Sequence, residues 1–139
     1  MNLTPLETVR RYYEALVPGH RADLMDLLDP HFVLELPPGL VGCAATYNGL
    51  KEYIQDFLFA FYGAFDVHLH PEEFIASGDR VVTLGRMTGQ AIPRGTPVDV
   101  AFAHSFTVRK GMIIHARFYA DTAILCQALA GDRSRVATK

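Results

Sequence analysis

Cysteine is scarce in this chain: there are two, Cys43 and Cys126, and their spacing fits neither a zinc motif nor a CxxC redox pair. They read as reduced structural thiols of a cytosolic protein. No apolar run reaches the roughly eighteen residues of a membrane span, and the first residues lack a signal-peptide pattern, so a cytoplasmic protein with no membrane partner is expected. Basic residues are not in excess. Lys and Arg number 13 against 15 Asp and Glu, a formal net charge of −2, which argues against a nucleic-acid partner. Repeats, low-complexity tracts and linkers are missing too, so one domain is expected over residues 1–131, with residues 132–139 a polar, frayed tail. What the chain has in quantity is apolar surface: 50% of its 139 residues are hydrophobic, enough for a substantial core.

The first third reads as helical. Thr4-Pro5-Leu6-Glu7 has the form of a capping box with Pro at the first helical position. Leu6, Val9, Tyr13 and Leu16 follow at helical spacing, with Tyr12 on the flank, until Pro18-Gly19 stops the run. A short second helix is predicted from Ala22 to Leu28, then a short strand from His31 to Leu36, with Glu35 on the face opposite Leu36. The stretch from Gly39 to Tyr47 is small and apolar for a loop and is expected to cover a pocket or an interface. Asn48-Gly49 opens a third helix with Leu50, Tyr53, Ile54, Phe57, Leu58 and Phe61 inward.

After Gly63 the period changes to that of strands. Phe65–Ala76, Asp79–Ile92, Val98–Val108 and Met112–Asp121 form a meander joined by short turns, and Asp121-Thr122 starts a closing helix. The even positions of the third run (Val98, Val100, Phe102, His104, Phe106, Val108) form an apolar row broken by His104. In the fourth run the odd positions put Ile113, His115, Arg117, Tyr119 and Asp121 on one face. If both rows face one cavity, an apolar wall carries a His, an Arg, a Tyr and an Asp. His68 and His70 share a strand face but have no third ligand at a motif spacing, so no metal site is expected. The fold class implied is α+β, a curved antiparallel sheet wrapped around the N-terminal helices, with a ligand site at its open end.

The order of elements, Arg11-Tyr12-Tyr13-Glu14-Ala15-Leu16, Gly78-Asp79-Arg80-Val81-Val82, His104-Ser105-Phe106 before Lys110-Gly111, and Tyr119-Ala120-Asp121-Thr122-Ala123 resemble the SnoaL-like, ketosteroid-isomerase-related proteins of the NTF2-like superfamily. The likeness runs from about Leu3 to Leu129. It implies an NTF2-like cone and a cofactor-independent site, and it leaves the reaction open, because one fold hosts many. Carried over by position, Tyr12 matches the tyrosine that donates to the oxyanion in steroid isomerases. His104 stands where they keep a protonated carboxylic acid, and Leu36 where they keep the general base. Asp121 matches the acid that the polyketide-cyclase branch keeps at the end of its last strand.

These residues define the expected chemistry. Asp121 takes a proton from a carbon next to a ketone, while His104, Tyr12 and Arg117 hold the enolate oxygen. Tyr53, Phe57, Phe102, Phe106, Tyr119 and Leu36 line the substrate pocket. The substrate expected is a small, mostly apolar carbonyl compound, and no cofactor is needed. Each polar residue also has a plainer reading: Asp121 as a helix N-cap, His104 as a core histidine, Arg117 as an ion-pair partner. Two other classes stay open, an epoxide hydrolase or dehydratase on the same scaffold and a non-catalytic binding domain. A homodimer through the outer sheet face is expected in every case, because Ala101, Ala103, Ser105 and Thr107 are small enough for sheet packing.

Overall fold

The structure, a computed structural model, describes residues 3–40 and 42–131. Helix α1 spans Pro5–Ala15, and the capping box at its start is formed. The Thr4 hydroxyl accepts from the Glu7 amide at 3.1 Å, and the Glu7 carboxylate accepts from the Thr4 amide at 2.9 Å. A 3₁₀ helix follows over Arg21–Asp26. It is shorter than the helix predicted for that stretch, because strand β1 already begins at Leu28 and runs to Glu35. Leu28 pairs with Ile113, so tertiary pairing draws it into the sheet ahead of Asp29-Pro30.

Strand β2 (Thr46–Asn48) forms a small hairpin with β1, where the sequence pattern predicts the end of a loop and a helix start. The Leu36 amide donates to the Ala45 carbonyl at 2.8 Å and closes the intervening loop at its base. The next helical run has three parts: an α-helical turn at Leu50–Glu52, a π-helical stretch at Tyr53–Leu58 and an α-helix at Phe59–Ala64. A π turn brings residues five apart onto one face. That widened turn is how Tyr53, Phe57 and Leu58 can all be buried.

Four long strands complete the sheet: β3 (Phe65–Ser77), β4 (Arg80–Ala91), β5 (Pro97–Arg109) and β6 (Met112–Ala120). The six-stranded sheet runs β2-β1-β6-β5-β4-β3, with β1 parallel to β6 and every other neighbouring pair antiparallel. The β5–β6 turn has positive φ at both Lys110 and Gly111, as a two-residue turn matching the strand twist requires. Arg109 and Met112 close it. The concave face of this curved sheet packs on α1 and the π-bearing helix. A helix over Thr122–Leu129 then crosses back toward β4 and β5. The tail expected at residues 132–139 lies outside the described residues.

Between the pairs Thr107–His115 and Val108–Ile113 the register slips by one residue, so Ile114 has no partner of its own on β5. A one-residue slip exchanges the two faces of a strand. Ile113 is buried before the bulge, whereas after it Ala116 is buried and His115, Arg117 and Tyr119 turn outward. The shared inward face predicted for Ile113, His115, Arg117, Tyr119 and Asp121 is therefore corrected: only Ile113 keeps it.

Candidate functional site

A cavity with an empty volume of about 630 Å³, mouth included, opens between the helices and the concave face. Strand β5 supplies Phe102 and His104, β6 supplies Phe118, α1 supplies Tyr12, and the π-bearing helix supplies Tyr53 and Phe57. Leu36 and Pro37 border it, and Leu40 brings the start of the apolar loop against it. Among the described residues, no Asp, Glu, Lys or Arg lines this chamber.

His104 is 5% exposed and sits between two rings, with centroids at 4.2 Å from Phe102 and 4.0 Å from Phe118. Burial pushes its pKa down to about 3, so the imidazole is neutral at physiological pH. Its Nδ1 lies 2.7 Å from the Tyr13 hydroxyl. Its Nε2 bonds to no described residue, and the His104 side chain lines the cavity.

Beside it, the hydroxyls of Tyr12 and Tyr53 are hydrogen-bonded to each other. Both rings are buried, and burial raises both phenol pKa values, which keeps them protonated donors. Two hydroxyls in one hydrogen bond leave one O–H free to donate elsewhere. Tyr62, also lining the chamber, is pushed up by burial to about 12. The polar equipment of the cavity is thus uncharged and made for giving hydrogen bonds.

The predicted residues divide accordingly. Tyr12, His104, Tyr53, Phe57, Phe102 and Leu36 meet at the cavity. Phe106 does not reach it; it is fully buried behind the site, edge-on to Tyr12 and Tyr13. Tyr119 contributes to the rim but is 48% exposed. Arg117 stands on the outer face, its Nε 3.5 Å from Glu35. That carboxylate also bonds to His115 Nε2, which together with Arg117 holds Glu35 below the usual carboxylate pKa. Asp121 is exposed and caps the closing helix, its Oδ1 accepting from the Ala123 amide at 3.0 Å and the Ile124 amide at 3.3 Å. Its chain neighbours Ala120 and Thr122 line the mouth.

Sequence reasoning missed Phe118, Tyr13 and the hydroxyl-to-hydroxyl bond of Tyr53. A signal for Phe118 was present, since Ala116, Phe118 and Ala120 form the apolar row of that strand and burial follows the apolar row.

The comparisons with known proteins agree with this fold. A model of the SnoaL-like domain matches residues 9–116. The chain belongs to the SnoaL-like family. Its fold is that of the NTF2-like superfamily, shared with an NTF2-like protein of unknown function from Burkholderia pseudomallei. That match has 30% identity over 90% of this chain and 96% of the other, with a TM-score of 0.80. TerC, co-crystallised with polyporic acid, is 26% identical, with 91% and 98% of the two chains covered and a TM-score of 0.82. A putative SnoaL-like polyketide cyclase from Jannaschia, 23% identical, shares the fold over 91% of each chain with a TM-score of 0.78. No curated protein matches the chain. Among the described residues no helix is long and apolar enough to cross a membrane.

Proposed function

We propose that this SnoaL-like chain is a cofactor-independent enzyme that binds a flat, mostly apolar carbonyl compound and promotes its enolisation, in a cyclase- or isomerase-type reaction. The observation that carries this reading is a mostly apolar, aromatic cavity lined by neutral donors: the Tyr12–Tyr53 pair and His104. A carbonyl oxygen gains negative charge as the neighbouring carbon loses its proton. Donors already aimed at it in a water-poor site each favour that charge, typically by about 10²–10³ in rate. TerC's co-crystallisation with polyporic acid supports reading the cavity as a ligand site.

Since no carboxylate among the described residues lines the chamber, the base in this reading stands outside it: Asp121, between the lining residues Ala120 and Thr122. Asp121 keeps Oδ1 in the helix cap while Oδ2 makes no hydrogen bond within the described residues. A base placed in this way contributes about 10²–10⁴. The enzyme works as a homodimer joined through the outer sheet face, where Ile75, Leu84 and Tyr119 are exposed.

The test is solvent-deuterium incorporation next to the carbonyl of a panel of flat aryl ketones, followed by NMR. Exchange is expected with the wild type, and Tyr12→Phe should slow it by about 10². The lack of a carboxylate among the described residues that line the cavity favours a second reading, ligand binding without turnover. Ketones that bind but never exchange would establish that reading and end the first.

A further inference from the structure

Tyr13 sits one residue from the phenol of the proposed oxyanion site, yet its hydroxyl points elsewhere, to His104 Nδ1 at 2.7 Å. The two ring planes are nearly parallel, 5° apart, with centroids 5.9 Å from each other, and the hydroxyl lies within hydrogen-bond reach of the Nδ1 lone pair or proton. A third group completes the cluster. Thr83 is paired directly across the sheet with His104. Its Oγ1 is sealed from solvent, lies beside the Tyr13 hydroxyl, and completes no well-formed hydrogen bond with any described residue.

A neutral imidazole has one N–H, and which nitrogen carries it depends on what the other nitrogen meets. The three groups allow two arrangements. In the first, Thr83 donates to the Tyr13 oxygen, Tyr13 donates to His104 Nδ1, and the imidazole proton sits on Nε2, facing the cavity. In the second, Nδ1–H donates to Tyr13, Tyr13 donates to Thr83, and the buried Thr83 proton is left with no acceptor in the cluster. An orphaned buried donor is costly. Only the first arrangement offers every proton of the cluster an acceptor, with the Thr83 hydroxyl turned toward the Tyr13 oxygen beside it, and it leaves the Nε2–H free for a ligand.

We infer that Tyr13, backed by Thr83, is a positioning residue that fixes His104 in its Nε2–H tautomer, so that the cavity presents a hydrogen-bond donor to a ligand carbonyl and not a basic lone pair. The inference rests on the proposed function only for what the donor is used for; the tautomer itself follows from the cluster. It also assigns the division of labour: His104 gives a hydrogen bond and does not take the substrate's proton. The site therefore selects ligands with an acceptor oxygen at that end of an apolar body.

The experiment is ¹⁵N-detected NMR of the imidazole nitrogens at neutral pH, with His104 assigned by its loss in His104→Asn. The wild type should show a protonated Nε2 and an unprotonated, hydrogen-bonded Nδ1; a protonated Nδ1 would overturn the inference. In Tyr13→Phe the single tautomer should give way to a mixture. Thr83→Val, which keeps the side-chain shape, should shift the same balance less. Unchanged imidazole spectra in both variants would overturn it as well, and Thr83→Val alone decides the matter if Tyr13→Phe does not fold.

A binding arm needs no turnover. The wild type should prefer 2-acetylnaphthalene to 2-ethylnaphthalene by about tenfold, the worth of one good hydrogen bond. Tyr13→Phe should lose most of that preference while keeping its affinity for the hydrocarbon. Preference retained in full by Tyr13→Phe counts against the inference. If the wild type shows the Nε2–H tautomer but no preference for the ketone, the positioning role stands and the carbonyl-binding function fails.

Discussion

The ring of His104 lies 4.0 Å, centroid to centroid, from that of Phe118 on the adjacent strand. Strict alternation from Ile113 would have turned Phe118 outward; the unpaired Ile114 turns it in. One extra residue in β6 thus decides that the histidine is enclosed by aromatic rings and that Arg117 looks away from it.

Removing Ile114 should be tolerated. The deletion makes Ile113 and His115 consecutive, still opposite Val108 and Thr107, so the ladder runs without a bulge while Ala116 and Phe118 stay inward and Arg117 stays out beside Glu35. A folded protein with a urea midpoint near that of the wild type is expected. A loss of about 3 kcal/mol or more, as a buried Arg117 without its Glu35 partner would cause, would mean that this register does not set the faces.

Stability should fall in mild acid because of His104. Its folded pKa, about 3, lies below the ordinary histidine value of 6.5, so the unfolded chain binds more protons between those limits. The contribution is complete above pH 6.5 and is lost as pH falls toward 3, with a slope on the order of 1 kcal/mol per pH unit. Glu35 adds to this in stronger acid, since a lowered carboxylate pKa gives stability that disappears as pH drops below its ordinary value. Urea unfolding of wild type and His104→Asn at pH 7 and pH 5 checks it: the gap between the two proteins should narrow at pH 5.

Asp121 allows its two roles to be separated. Asn caps a helix as well as Asp does, whereas Ala costs about 1 kcal/mol. Asp121→Asn should therefore unfold like the wild type, and Asp121→Ala at lower urea. If Asp121 is the base, both should slow ketone exchange by about 10² or more. Exchange at the wild-type rate in Asp121→Asn would leave this aspartate as a cap only.

Gly85 bears on the cavity wall. A Cβ there would lie 2.3 Å from the His70 carbonyl oxygen and 2.7 Å from Phe102 Cζ. Backbone cannot yield cheaply, so Gly85→Ala should destabilise by about 1–3 kcal/mol and push Phe102 into the chamber. Thermal unfolding and weakened binding of 2-acetylnaphthalene would register the two effects.

The proposed dimer has its own test. Ala103 lies on the outer face, opposite Leu84 on one side and Tyr119 on the other. Ala103→Glu puts a charge into the middle of that patch and should give monomers by light scattering while the far-UV spectrum stays unchanged. A wild type that is monomeric at micromolar concentration would refute the outer-face dimer.

What the sequence decided alone is local. The Thr4–Glu7 capping box, the inward row of β5 with His104 in it, the Lys110-Gly111 turn and the Asp121 cap each depend on residues within a few positions of one another, and all are formed. Tertiary structure decided the rest. Local preference at Leu28 and at Thr46–Asn48 was overridden by pairing with Ile113 and with β1. The face of β6 depended on a bulge that no turn residue announces, because Ile113 and Ile114 are equally fit to be buried. Which row turned inward was settled by burial of Ala116 and Phe118 against the helices, a free energy that exists only once distant segments meet.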